Sequence, residues 1–247
     1  MPVKTDLAPK RLPPADTRNV TRTGRSACSL IKGGTGMSIL SEISINLQAG
    51  KAKVVKELVQ KAIDDGIAAD TILEQGLLEG MGVIGTKFKN NEIYVPEVLI
   101  AARAMSAGTE LLKPLLVSSG VKARGRVVIG TVKGDLHDIG KNLVKMMMEG
   151  KGLEIIDLGT DVSAERFIAA ARENDAHIIA CSALLTTTMG EMKKVIGLLR
   201  EQNLRNSIKV MIGGAPVTDA YRESIGADIY TPDAASAAEE AVRILSE

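Results

Sequence analysis

Two hydrophobic rhythms divide the chain. From Ser38 to about Ser118 apolar residues recur at helical spacing. Val54, Val55, Leu58, Val59, Ala62 and Ile63 share one face between Gly50 and Gly66, with Lys and Glu on the other. Ile39, Leu40, Ile43 and Leu47 predict a helix before it. Asp70 is placed to cap a third helix carrying Ile72, Leu73, Leu77, Met81 and Ile84, and Pro96 to start a fourth through Leu99, Ala102 and Met105. Four short helices joined by short turns make a bundle. Gly76, Gly80, Gly82 and Gly85 in the third helix would each cost about 1 kcal/mol against alanine in a free helix. Close approach of another backbone, or of a flat ligand, is expected there.

After residues 122–124 the period changes. A β-branched run from Arg126 to Val132 predicts a strand, followed by a Gly-containing loop and a helix from about Ile139 to Met148. The alternation recurs, with strands near Leu153 to Leu158, His177 to Ser182, Lys209 to Ile212 and Asp228 to Tyr230. Helices are centred on 166–172, 189–201 and 220–224, and a last one spans 234–246. Five such units predict an α/β fold: a flavodoxin/Rossmann-like five-stranded parallel sheet with helices on both faces, preceded by the four-helix bundle. Ligands bind such sheets at the carboxyl ends of the strands, where the strand order reverses. The expected domains are a tail over 1–37, a helical domain over 38–122 and a sheet domain over 123–247.

Composition sharpens this division. Residues 1–36 hold four of the eight prolines and seven Lys/Arg against two Asp/Glu; the remainder has 24 basic and 28 acidic residues. The tail is therefore expected to be disordered, and it lacks an apolar segment of secretory type. Lys32-Gly33-Gly34 can be encoded by AAAGGAGGT, a purine-rich ribosome-binding sequence just upstream of Met37, which makes Met37 the expected natural start. With five aromatic residues in 247, base-stacking platforms have almost no material, so no nucleic-acid partner is expected. No apolar run reaches the roughly 18–20 residues of a membrane span, so no membrane association is expected. Cys28 and Cys181 lie far apart, without the spacing of a zinc site or a disulfide framework. The expected compartment is the reducing cytoplasm.

The loop after the first predicted strand reads Gly134-Asp135-Leu136-His137-Asp138-Ile139-Gly140-Lys141-Asn142. His137 is one of two histidines, and Asp135 stands two residues before it. A carboxylate that accepts a hydrogen bond from one imidazole nitrogen fixes the tautomer and strengthens the other nitrogen as a ligand. Zinc would want three or four protein ligands, and no companion His or Cys is near. One exposed histidine with an adjacent acid suits a metal that brings its own equatorial ligands. Elsewhere the plain readings hold: His177 opens a strand, Cys181 packs in a core, the methionines fill gaps, and Asp138 caps a helix.

Asp135-x-His137-x-x-Gly140, then Ser182-x-Leu184, then Gly213-Gly214, in that order and spacing, resembles the cobalamin-binding fold of methyltransferase corrinoid proteins and of cobalamin-dependent methionine synthase. Gly80-Met81, Gly85, Phe88 and Val95-Pro96-Glu97-Val98 resemble the helical cap that precedes it. The resemblance spans Ser38 to the end and implies that His137 ligates cobalt from below, Asp135 holds its other nitrogen, and Thr188 contacts Asp135. It assigns Ser182 and Thr186 to the buried base of the cofactor, and Gly213, Gly214 and Ala234 to its nucleotide tail. Gly134, Leu136, Asp138, Gly140 and Leu184 would complete the lower surface, and Phe88, Val95, Met81 and Glu74 the cap side.

The function so implied is that of a methyl carrier. A substrate-specific methyltransferase would load a methyl group onto Co(I), and a second methyltransferase would move it to tetrahydrofolate or a similar acceptor. A corrinoid reductive activase would restore the reduced state, and the junction at Lys122 to Arg124 would act as a hinge for the cap. Strictly, such a protein is a cosubstrate. An adenosylcobalamin-dependent mutase subunit would need a catalytic barrel, and a cobalamin-sensing regulator a DNA-binding head; neither pattern appears. A flavodoxin-like domain without corrinoid is the plainest alternative.

Overall fold

Ser38 starts the first helix, α1 (Ile39–Gln48), its hydroxyl accepting from the Ser41 amide at 3.2 Å. The computed structural model describes residues 37–119 and 123–246, and Met37–Glu247 forms one compact unit. The tail and the Lys122 part of the expected hinge lie outside the described residues.

The helix α2 (Ala52–Asp64) buries Val55, Val59 and Ala62. The third predicted helix is a continuous rod of α3 (Ala69–Thr71), a π-helical stretch (Ile72–Leu78) and α4 (Glu79–Lys89). Its cap position is Ala68. Asp70 is not the cap but sits in the first turn, accepting from the Thr71 amide at 2.6 Å, where a carboxylate still complements the helix dipole. Gly76 and Gly80 of the rod are explained by contact. A Cβ on Gly80 would meet the Ser44 backbone at 3.1 Å, and one on Gly76 would meet Ile43 at the same distance, so α1 crosses the rod closely at these two positions. Gly82 faces open space, and nothing in the structure explains it. The helix α5 (Val95–Ser118) has Pro96 in its first turn, and Glu97 accepts from the Tyr94 amide at 3.1 Å.

Five parallel strands follow: β1 (Arg126–Thr131), β2 (Glu154–Asp157), β3 (Ile178–Ser182), β4 (Lys209–Gly213) and β5 (Ile229–Tyr230), in the order β2-β1-β3-β4-β5. They alternate with α6 (Ile139–Glu149), α7 (Ala164–Glu173), α8 (Gly190–Glu201), α9 (Asp219–Ile225) and α10 (Ala234–Leu245). The order reverses between β1 and β3, so the loops leaving those two strands diverge and open a crevice at their carboxyl ends.

One face of the sheet packs Val128, Ile179 and Val210 against Phe167, Ile168 and Val195 of α7 and α8. The other packs Val127, Ile129 and Ile178 under α6 and α10, and this core continues into Ile43, Leu77 and Met81 of the helical bundle. The Met81 side chain lies on Gly150 with no room for a Cβ there, and Lys89 pairs with Glu239 of α10 at 2.7 Å. These contacts dock the bundle on the α6/α10 layer and bring Phe88 to the edge of the crevice. Cys181 is buried on β3, and burial pushes its thiol up to about 12, which leaves it inert as a nucleophile. Among the described residues no helix is long and apolar enough to cross a membrane.

Candidate functional site

The loop from β1 to α6 is built around one buried carboxylate. Asp135 is fully buried, and its two oxygens collect five donors. Oδ1 accepts from the His137 amide at 3.1 Å and faces His137 Nδ1 at 2.7 Å. Oδ2 accepts from the amides of Leu184 and Leu185 at 2.8 and 3.1 Å, and lies 2.9 Å from the Thr188 hydroxyl. Burial by itself would raise this carboxyl. The hydrogen bonds from His137, Leu184 and Leu185 outweigh it and hold the group well below the usual aspartate range.

An ionised carboxylate only accepts, so the proton of the neutral imidazole sits on Nδ1, and Nε2 presents its lone pair outward. The His137 side chain is 52% exposed, and Nε2 has no protein partner among the described residues. The backbone of His137 is held as well, its carbonyl accepting from the Thr131 hydroxyl at 2.8 Å. Thr131 is a functional residue that sequence reading missed. Its signal was a hydroxyl at the end of an otherwise apolar strand, wholly buried in the structure.

Around this ring the surface is apolar. Leu136, Ile139, Leu184 and Leu185 are all exposed, a concentration of large side chains that a soluble protein places in water only where something covers them. Beside them a cavity of about 440 Å³ runs between the ends of β1, β3, β4 and β5 and the helices α6 and α10. Its walls include Gly140, Ser182, Gly213, Gly214, Ala234 and Phe88. A Cβ on Gly213 would meet nothing within 4 Å, whereas one on Gly214, at φ +131°, would fall onto the Ala183 carbonyl.

Several candidates sit differently from expectation. Thr186 is exposed on the turn after β3 and is not part of the cavity wall. Asp138 occupies the cap position of α6, yet its carboxylate bonds the Asn142 side chain at 3.0 Å rather than a helix amide. Met81 is buried between bundle and sheet, and Val95 is half-buried against the same core. Glu74 lies away from the crevice, 3.6 Å from Arg124 in a separate cavity of about 270 Å³. Lys141, unremarked in sequence, is buried and pairs with Asp157 at 2.6 Å. Burial raises the Asp157 carboxyl, but the bonds from Lys141, Gly159 and Lys145 prevail and lower it.

Among the described residues no three His, Cys, Asp or Glu side chains converge as a metal cage, so a metal at His137 must bring its other ligands. One outward imidazole nitrogen, an apolar platform and a deep slot suit a large metal macrocycle with an appended tail. This defines a corrinoid-binding α/β domain. The comparisons agree: models of the B12 binding domain match residues 125–242 and 39–113. A corrinoid protein of Desulfitobacterium hafniense is 42% identical over 85% of this chain and 99% of its own length. A dimethylamine corrinoid protein of Methanosarcina barkeri is 41% identical, over 84% and 98%. The solved methanol:cobalamin methyltransferase complex of Methanosarcina barkeri superposes with a TM-score of 0.77 at 32% identity, covering 84% of this chain and 80% of that one. The chain belongs to the corrinoid protein family of methyltransferase systems.

Proposed function

We propose that this chain carries methyl groups from a substrate-specific methyltransferase to a second methyltransferase. The observation that carries the reading is the relay Thr188–Asp135–His137, which ends in an unpartnered Nε2 beside an apolar platform and a slot. When bound, a corrinoid supplies a cobalt centre that takes up a methyl group as a nucleophile and releases it to an acceptor.

The chain's own residues do the rest. Asp135 fixes the ring with Nε2 turned outward, where it would hold the metal; Leu136, Ile139, Leu184 and Leu185 would support the macrocycle, and the slot lined by Ser182, Gly213, Gly214 and Ala234 would take the tail. Phe88, at the cavity edge, would cover the site from the bundle. Should Nε2 disengage and take up a proton, the charge of the imidazolium is met by Asp135, so ligand release and proton uptake are coupled at one atom. The methyl donor is recognised by the first partner. The relatives' names direct the first tests to dimethylamine and methanol, with tetrahydrofolate or a similar compound as acceptor. A reductive activase would be a further partner, and we place the system in the cytoplasm.

The test loads the reduced protein with corrinoid and mixes it with a dimethylamine- or methanol-specific methyltransferase and the matching methyl-labelled donor. Label that stays with this chain through gel filtration, and leaves on addition of the second methyltransferase, supports the reading. A loaded protein that takes up no label from any of the donors contradicts it.

A further inference from the structure

We propose that Asp161 is a positioning residue for the His137 ligand, clamping the Gly134–Asp135 segment from the neighbouring loop. The inference rests on the reading that His137 Nε2 is the metal ligand.

Asp161 stands between β2 and α7 at φ +56°. The other described non-glycine residues with positive φ are Asn91, Asp175 and Asn203. Each lies just past the end of a helix, α4, α7 or α8, where the chain commonly turns left-handed. No helix ends at Asp161, so its conformation needs another cause, and two hydrogen bonds supply it. Its Oδ1 accepts from the Gly134 amide at 2.7 Å, and its own amide donates to the Asp135 carbonyl at 3.0 Å.

These two bonds seize both ends of a two-residue segment. Gly134, at φ +81°, is the most permissive residue of the loop, and left free it would swing the direction of the Asp135 side chain. With the Gly134 amide and the Asp135 carbonyl both tied, the Asp135 carboxylate is aimed at the Leu184 and Leu185 amides on one side and the His137 ring on the other. Asp161 thus acts on the metal ligand through two intermediaries and touches neither ring nor metal.

The surrounding loop does not depend on the Asp161 side chain. The Thr131 amide donates to the Gly159 carbonyl at 2.9 Å and the Val162 amide to the Thr131 carbonyl at 3.0 Å. Both are backbone bonds that survive substitution, as does the Asp161 amide's own bond to the Asp135 carbonyl, so variants retain the loop pairing while losing the side-chain half of the clamp, the bond that fixes the Gly134 amide.

The experiment uses the full chain loaded with corrinoid in the Co(II) state, comparing wild type, Asp161→Gly, Asp161→Ala and Asp161→Asn. Glycine keeps the left-handed backbone and deletes the acceptor. Asparagine keeps an acceptor oxygen and tolerates this backbone. Alanine loses both, and if it does not fold, the other two decide. The clamp predicts that Asp161→Gly lowers the fraction of the spin-resonance spectrum split by the axial nitrogen and weakens corrinoid binding about tenfold. It also predicts faster amide exchange at Gly134 in the cofactor-free protein, with Asp161→Asn restoring all three. Wild-type splitting and affinity in Asp161→Gly overturn the proposal, whatever its melting temperature. A nitrogen-15 control separates the two claims: a nitrogen-14 triplet in wild-type protein grown on nitrogen-15 histidine means the axial reading itself has failed.

Discussion

Replacing Asp135 with asparagine changes one oxygen into an amino group at constant shape, and the structure dictates which way the amide turns. With the amino group at the Oδ2 place it would face the Leu184 and Leu185 amides and the Thr188 hydroxyl. Backbone amides cannot reverse, so donors would oppose donors in a fully buried site. At about 1–3 kcal/mol for each of three buried groups left opposed, that orientation costs about 3–9 kcal/mol. With the amino group at the Oδ1 place only the His137 amide loses its acceptor, about 1–3 kcal/mol. The imidazole answers by accepting at Nδ1 and carrying its proton on Nε2. The second orientation wins by several kcal/mol, and the outward nitrogen ceases to be a ligand. The assay is nitrogen-15 NMR of histidine-labelled, cofactor-free protein at alkaline pH. There are only two histidines, and His177 Nδ1 accepts from the Arg126 amide at 3.2 Å, so its proton sits on Nε2 and serves as an internal reference of the opposite tautomer. In Asp135→Asn, His137 should shift to the His177 pattern, with unfolding free energy lowered by about 1–3 kcal/mol. A His137 that keeps its proton on Nδ1 would refute the reasoning.

Adjacent glycines should separate stability from binding. Gly214→Ala places a Cβ on the Ala183 carbonyl at φ +131° and should cost about 2–4 kcal/mol in urea unfolding. Gly213→Val, with open space before it, should leave stability within about 1 kcal/mol while corrinoid is lost on gel filtration; retained corrinoid would remove Gly213 from the slot. The carboxyls of Asp135 and Asp157 are both held low in the folded chain, so the unfolded chain binds more protons in acid. Their stabilisation is therefore complete above the ordinary aspartate range, about pH 4, and drains as pH falls through the folded values. Asp157→Asn should be less stable at neutral pH yet decline less steeply below about pH 4; urea midpoints parallel to wild type across that window contradict this. Phe88→Ala should bind corrinoid nearly as well but speed photolysis of the methyl form, and equal photolysis rates would take Phe88 out of the cover.

The five strands were legible because a β-branched run between turn residues is a local signal, and the site loop because its residues are contiguous. Local signals also carried the third helix, though not its π-helical stretch (Ile72–Leu78), which no residue pattern announces. What stayed hidden depends on pairs distant in sequence. Thr131 reads as one more β-branched strand residue until its hydroxyl is seen on the His137 carbonyl. Lys141 of α6 is one member of the site loop's sequence until the fold sets Asp157 of β2 beside it. Asp161, 27 residues from its Gly134 partner, carries no motif. Glu74 failed in the opposite sense: in a glycine-rich helix its register was set by resemblance, and the fold turns it to Arg124 instead.

The central claim is that the nitrogen beneath the metal belongs to His137. It is tested most directly by growing the protein on nitrogen-15 histidine, loading it with unlabelled corrinoid and recording the Co(II) spin-resonance spectrum. If His137 is the ligand, the axial splitting changes from the triplet of nitrogen-14 to the doublet of nitrogen-15. A triplet that persists would mean that the cofactor has kept its own base, and would contradict the account.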